Sequence, residues 1–443
     1  RRSGSAVLLM QFVFAAESAL DESLPGKETA RLLNMYPEKG GSRSPVTLRG
    51  VPGLKETTSL GSGRVRGMIS ASDGPYAAVA GSLVRWNGTS VTTLGSIPDG
   101  VTTMARNRTQ IGITAGGEYH VWDGAALSQV AGAAFSEIAS VAYIDNFIIL
   151  TQLNGEAYAY SAAGDATSLA ALDFASAETS PDDLIRAVSV GGVLWLLGAD
   201  SIEAWNNAGG TDNPFRRIQS QRLEKGLRSI AEVTLLDNTF FWISNEGRAY
   251  RQQEGMPVRV STDAVEAAIE GSDNVTVMAY QIRGHDFFVI RLNGKPAWVY
   301  DPATQAWHER STGPTHQPWE VTATVHHNGV WYAGTQDGQL CTFGGYQDRG
   351  QELRREARSA LLSNGGERFV LNKVDVRTEG SGNLMMRLSR DGRIYGKERI
   401  KPFGGSYGER TTFRALGQCR EASMMLACTD NTEFAIHGTT VNV

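Results

Sequence analysis

Seven times between residues 77 and 344 the chain repeats one pattern: an apolar strand, a Gly-centred turn, and a second strand ending on an aromatic residue. The repeats are 77–88 (AAVAGSLVRWNG), 111–124 (IGITAGGEYHVWDG), 147–160 (FIILTQLNGEAYAY), 193–206 (VLWLLGADSIEAWN), 239–250 (TFFWISNEGRAY), 286–301 (DFFVIRLNGKPAWVYD) and 329–344 (GVWYAGTQDGQLCTFG). The closing aromatics are Trp86, Trp122, Tyr160, Trp205, Tyr250, Tyr300 and Phe343, spaced 36 to 50 residues apart. A four-stranded propeller blade needs about 40 to 50 residues, so each repeat reads as the central hairpin of one blade. Turn pairs such as Asn87-Gly88, Asp123-Gly124, Asn154-Gly155, Asn293-Gly294 and Asp337-Gly338 are hairpin chemistry and argue against a helical solenoid. Seven blades are expected, with six or eight compatible.

At 443 residues, 41% of them hydrophobic, the chain has apolar surface for two domains. Fifty glycines fit an architecture of many hairpins, since tight turns need positive φ. Cys341, Cys419 and Cys428 are an odd set at no metal-ligand spacing, which speaks against a disulfide framework and for a reducing compartment. The apolar stretch 6–16 after Arg1-Arg2 imitates a secretion signal, but Glu17, Asp21 and Glu22 follow without a cleavage site, so an edge strand is expected there. No segment approaches the ~20 apolar residues of a membrane-spanning helix. The net charge of −5 is uneven: residues 351–443 carry 15 Lys and Arg against 11 Asp and Glu, and residues 1–350 carry 27 against 36. A propeller with excess negative charge is a poor non-specific DNA binder, because phosphate binding relies on basic residues.

Residues 1–60 hold no repeat; the turns at 40–45 (GGSRSP) and 50–53 (GVPG) mark an extended arm. The propeller is expected over 61–345, with loops at 171–183 and 206–217. Asp263 and Glu266 have capping-box spacing ahead of Ala268, Ile269 and Gly271, which predicts one short helix. From 346 to 443 longer alternating strands are expected at 369–378, 384–388, 393–400, 411–415, 422–428 and 433–436, reading as a β-sandwich. Residues 352–362 (ELRREARSALL) have helical propensity between strand-like neighbours, and both readings stay open.

Three collinear stretches resemble the tail-hub or nozzle proteins of short-tailed bacteriophages, also called packaged-DNA stabilisation proteins. They are the arm 31–54 (RLLNMYPEKGGSRSPVTLRGVPGL), the segment 225–270 from KGLRSIAEVTLLDNTFFWISNEGRAYRQ through MPVRVSTDAVEAAIE, and a closing region with LSRDGRIYGKERI at 388–400 and FRALGQCREASMMLACTD at 413–430. The resemblance implies a virion component, six copies to a ring, that continues the portal channel, holds the packaged genome and lets it leave. It implies as partners an adaptor ring above, tail fibres or tailspikes, a needle or plug, and genomic double-stranded DNA passing without sequence-specific contact. It offers no catalytic residues, cofactors or metals.

Enzyme chemistry finds little foothold. Ser389 to Tyr395 and Ser244 to Tyr250 resemble the turns of sialidase Asp boxes, but each is one residue short and even genuine boxes are structural: the acid accepts backbone N–H bonds while the aromatic packs. Glycosidases need two facing carboxylates, which 47 acids in a sequence do not single out. Tyr300-Asp301 with Trp307 resembles a kelch-type corner, where aromatics fill space between sheets. His326 and His327, adjacent in a strand, point to opposite faces and do not share one ion readily; His316 lies ten residues earlier. Arg354, Arg355 and Arg358, and Arg216, Arg217 and Arg222, suit phosphate contacts or interface ion pairs; a solvated surface is the plainer reading. In a strand, Arg354, Glu356 and Arg358 share one face.

The expected protein is therefore all-β: a propeller of about seven blades and a C-terminal β-sandwich platform that takes in the arm. The expected function is a non-enzymatic ring in a phage tail, located in the virion and, during assembly, in the host cytoplasm. The competing readings are a propeller hydrolase or lyase acting on glycans, with a carboxylate-lined pocket, and a monomeric protein-binding scaffold.

Overall fold

The computed structural model describes residues 9–10, 12, 14, 18–19, 29–39, 46–131, 135–176, 182–210, 213–404 and 410–442. The expected turn at 40–45 and most of the edge strand at 6–16 lie outside these; Leu9–Met10 pairs with Phe434–Asn442.

Seven four-stranded antiparallel units follow one another round an axis. Blades 1 to 5 are local, with strands within residues 65–96, 103–129, 138–176, 184–223 and 233–259. Blade 6 spans 275–310. Blade 7 takes three strands from 321–343 and its fourth from the arm, where Leu54–Ser59 runs antiparallel to Gln339–Phe343; Gln347–Asp348, parallel to that arm strand, and Gln351–Glu352 extend the same sheet, so the first residues expected in the platform pair onto the propeller. That pairing closes the ring of blades. It also moves residues 54–59 from the arm, where the sequence put them, into the propeller.

All seven anchoring aromatics stand on the third strand of their blade. They pack between sheets: Tyr158 meets Trp205 across blades 3 and 4 at 5.6 Å, Phe241 meets Tyr300 across blades 5 and 6 at 6.3 Å, and Trp86 meets Tyr332 across blades 1 and 7 at 5.3 Å. Such edge and tilted pairs suit aromatic quadrupoles and add about 0.5–1.5 kcal/mol each beyond burial.

The helix forms at Asp263–Glu270 and buries Ala264, Val265 and Ile269, but the capping box does not. Thr262 is the N-cap without a side-chain bond, and Glu266 instead accepts from Ser261 Oγ (2.6 Å) and Arg259 Nε (2.7 Å). The expected loop at 171–183 begins as strand, since Asp165–Ser176 is the outer strand of blade 3; 177–181 lie outside the described residues.

The platform is a two-layer sandwich. One sheet orders Met35–Lys39, Val46–Gly50, Phe434–Asn442, Phe369–Gly380 and Arg410–Cys419. The other orders Arg31–Leu33, Arg355–Arg358, Glu421–Cys428, Gly382–Ser389 and Arg399–Phe403. Leu48, Val374, Phe413 and Ile436 of the first sheet share one buried core with Leu32, Ala357, Met386 and Leu426 of the second. The ambiguous 352–362 stretch resolves as strand at Arg355–Arg358. The strand expected at 393–400 begins only at Arg399, because Asp391 to Tyr395 form a turn.

The second sheet does not end at the platform. Arg31–Leu33 lies between Arg355–Arg358 and the outer strand of blade 6, Ala306–Arg310, so one continuous ten-stranded sheet joins the two parts. No helix among the described residues is long and apolar enough to cross a membrane.

Candidate functional site

The joint between platform and propeller is built on buried charges. Arg31 forks onto Glu309, with Nε to Oε2 and Nη2 to Oε1 both 2.7 Å, and Ser18 Oγ donates to the same carboxylate at 2.8 Å. Two parallel charge-assisted bonds fix both distance and rotation. Asn34, held at φ 53°, then turns the arm; its amide donates to Ser311 Oγ and Arg354 O while its carbonyl accepts Ser311 N–H. This is a position where Asn tolerates the left-handed region better than most residues.

Arg354 and Arg358 do not face solvent or phosphate. Both clamp the buried Glu356, at 2.8 and 2.7 Å, and His316 Nε2 lies 3.3 Å from it. Burial alone would raise the Glu356 pKa, but the His316 bond and the charges of Arg358, His316 and Arg354 outweigh it and hold the carboxyl far below the usual range. Arg355 points to the other face, as strand alternation requires. It donates to Thr432 O and Asp430 O and lies over Tyr346 at 5.0 Å. Arg216, Arg217 and Arg222 sit far off on the outer strand of blade 4, where Arg217 pairs with Glu203 and Arg222 with Glu224. The two basic clusters do not meet.

The outward side of the platform is different in character. Arg399–Phe403 is the edge strand of its sheet. Lys401 Nζ reaches Thr412 O, and Arg399 reaches Arg414 O and Ala415 O, bridging the sandwich corner. Beside them Ile394 and Ile400 are 76% and 58% exposed, and Leu361 and Val370 are also exposed. A groove of about 420 Å³ runs along this edge, lined by Arg390, Asp391, Ile394, Lys397, Arg399 and Leu416. Exposed isoleucines beside an open strand edge are what proteins normally cover or pair.

The remaining candidates settle into structural roles. Asp391 Oδ1 accepts Arg393 N and Ile394 N, both at 2.9 Å, and Ser389 Oγ; these bonds lower its pKa to about 2. Tyr395 packs inward, its hydroxyl 2.8 Å from Ser423 Oγ. The sister turn departs from that reading: Glu246 pairs with Lys225 and Arg248, and the turn closes through Gly247 N to Ser244 O. Tyr300 and Trp307 pack at 5.1 Å, and Trp307 Nε1 donates to Val260 O of the neighbouring blade. His326 lies against Trp331, whereas His327 Nδ1 bonds Ser70 Oγ. Among the described residues no three His, Cys, Asp or Glu side chains gather closely enough to hold a metal. Cys341 is buried, which pushes its thiol to about 12.

Sequence reasoning missed the Arg31–Glu309 pair and His308, a fully buried imidazole whose ring nitrogens have no hydrogen-bond partner among the described residues. Pairing across 278 positions leaves no local signal. The one visible hint was charge in Ala306–Arg310, a strand with no exposed position.

The family model described as "Bacteriophage P22 Gp10, beta-propeller" matches residues 29–343, from the arm strands to the last strand before the platform's main segment. No curated protein matches the chain. Solved structures similar to it include a computationally designed protein, Ika8 (16% identity, TM-score 0.43, covering 73% of this chain and 100% of that one), and the WD40 β-propeller domain of Doa1 (13%, 0.46, 66% and 97%). PorZ, a surface component of the type-IX secretion system of Porphyromonas gingivalis, is a third (11%, 0.42, 79% and 47%). The family match spans the arm from residue 29 and the whole closed ring of blades, and the chain belongs to that family, the phage DNA-stabilisation β-propellers described by Gp10 of bacteriophage P22.

Proposed function

We propose that the protein is a non-enzymatic component of a short-tailed phage tail, whose copies close a ring of about six through head-to-tail contacts. The ring continues the portal channel, retains packaged DNA and guides its exit. The family match over residues 29–343 carries this reading. The exposed isoleucines and open strand edge of the platform support it, because a head-to-tail ring would cover them. In this reading residues 1–60 and 346–443 act together as the ring-forming platform. An adaptor ring sits above it, fibres or tailspikes and a needle or plug attach to it, and DNA passes through a lumen that would guide it without gripping where few basic residues face the phosphates. The protein would reside in the virion tail, after assembly in the host cytoplasm.

The test is the mass of the purified protein in solution, alone and with the tail adaptor, with negative-stain images of any large species. Sixfold rings with a central hole are expected. A strict monomer under every condition would overturn the ring and make glycan turnover the next assay.

A further inference from the structure

Arg64, Arg66 and Arg186 line the axial channel of the propeller, a cavity of about 1320 Å³. Arg64 immediately precedes the inner strand of blade 1, Val65–Ala71, Arg66 is its second residue, and Arg186 is the third residue of the inner strand of blade 4, Leu184–Val190. Each blade returns the chain to the same face after four strands, so these side chains share one mouth of the channel. Among the described residues none of the three has a carboxylate within ion-pair distance. Arg66 Nη1 donates to Gly100 O at 2.9 Å and Arg186 Nη1 to Ile230 O at 2.6 Å. Among the described residues Arg64 Nε, Arg66 Nε and Nη2, and Arg186 Nε have no acceptor.

The acids of the channel do not neutralise them. Glu232 is taken by Arg228, at 2.8 and 2.9 Å. Asp99 and Asp273 line the same channel; the charge of Asp99 favours the charged form of Arg66 without a bond between them. Burial lowers the pKa of Arg64, Arg66 and Arg186, the last to about 10, and Arg64 also disfavours the charge on its neighbours Arg66 and Arg291. All remain cationic at neutral pH. Partly desolvated cations with spare N–H groups are costly unless something pairs with them.

We propose that this mouth of the propeller channel binds a small multivalent oxyanion of the phosphate class, held by Arg64, Arg66 and Arg186. Guanidinium forks match the geometry of phosphate oxygens. The volume is of small-molecule size, a little above the usual ~300–1,000 Å³, so the ligand is a free phosphate or the phosphates of a nucleotide and not a duplex.

The test is calorimetric titration and thermal unfolding of the full chain with inorganic phosphate, with a nucleoside triphosphate, and with chloride at matched ionic strength. A saturable rise in Tm with phosphate or the nucleotide, absent with chloride, is expected; the tighter of the two names the source. Arg64→Gln/Arg66→Gln should weaken binding at least tenfold, while Arg216→Gln on the outer strand of blade 4 leaves it unchanged. Should the double variant not fold, Arg186→Gln serves, since it keeps a donor for Ile230 O. In low salt without anion, Arg66→Gln should raise Tm by relieving repulsion from Arg64. Equal effects of chloride, or full affinity in the variants, would overturn the site.

Discussion

His308 shows how one unpaired side chain sets a pH response. Burial, with Arg310 nearby, pushes its pKa down to about 3, so the folded protein keeps it neutral while the unfolded chain takes up a proton near pH ~6.5. Between those values stability falls as pH falls, by about 1.4 kcal/mol per pH unit from this group. His285 and Asp301, 2.8 Å apart, respond in senses opposite to each other. Their hydrogen bond raises the His285 pKa, so its contribution is complete below pH ~6.5 and is lost as pH rises through the elevated folded value. Burial would raise Asp301, but the His285 bond prevails and lowers it, so that contribution is complete above pH ~3.9 and is lost only on acidification through the folded value. His308→Phe, in a site already flanked by Tyr36 and Phe287, should therefore gain stability over the native protein progressively from pH 6.5 to 4. Parallel curves of Tm against pH would contradict this. The Arg31–Glu309 pair makes a second test: Arg31→Met leaves Glu309 buried with Ser18 and should cost about 3–5 kcal/mol in urea unfolding. Adding Glu309→Leu should recover most of that loss, because replacing both charges removes the desolvation cost as well.

At the scale of elements, the strand that closes blade 7 depends on a close approach of backbones. A Cβ on Gly53 would sit 2.0 Å from Gln347 O, where the chain enters the closing strand, and one on Gly338 would sit 2.1 Å from Gly61 O at a φ of +85°. Gly53→Ala should cost on the order of 1–3 kcal/mol as the backbones part, whereas Gly344→Ala, with open space around it, should be neutral in the same urea titration. The sequence told much about the blades because their signals are local: Trp86, Trp122 and the other aromatics follow Gly turns at hairpin distance, and all seven landed on third strands. It told little about closure, since Leu54–Ser59 pairs with residues some 280 positions away and carries no mark of its partner. Strand Asp165–Ser176 was hidden by small residues with weak β preference, which pairing with Ala157–Ala162 overrides. The capping-box spacing failed for a related reason: Glu266 finds Arg259 and Ser261, and no bond remains for the helix start. For the platform, alternation revealed Phe369–Gly380 and Glu421–Cys428. Only the folded chain shows that Arg354, Glu356 and Arg358 form one ion cluster.

For the whole molecule the decisive feature is the ten-stranded sheet running from the inner strand of blade 6 to the platform edge. Hydrogen bonds through Arg31–Leu33 make the propeller and platform mechanically continuous, so a load on the proposed ring would pass to the blades without a flexible linker. Deleting residues 1–50 takes away that bridging strand and the Met35–Lys39 and Val46–Gly50 edge of the other sheet. The truncated chain should then form no native rings; rings of native shape would sink the idea that arm and platform work together. A subtler change isolates association from folding. Ile400 projects from the edge strand Arg399–Phe403 with more than half its surface in water, so Ile400→Asp removes little from the core and should move the monomer's Tm by no more than about 0.5 kcal/mol in equivalent stability. If neighbouring platforms meet along that edge, the same substitution buries a charge opposite an apolar partner in every interface of a closed ring. Because each copy uses the surface, the penalty recurs around the ring. Ile400→Asp should thus run as a monomer of normal stability in sedimentation, with and without the adaptor, while the exposed Val258→Asp on blade 5 should assemble as the native protein does. Unaltered rings from the Ile400 variant would place the subunit contact elsewhere on the platform.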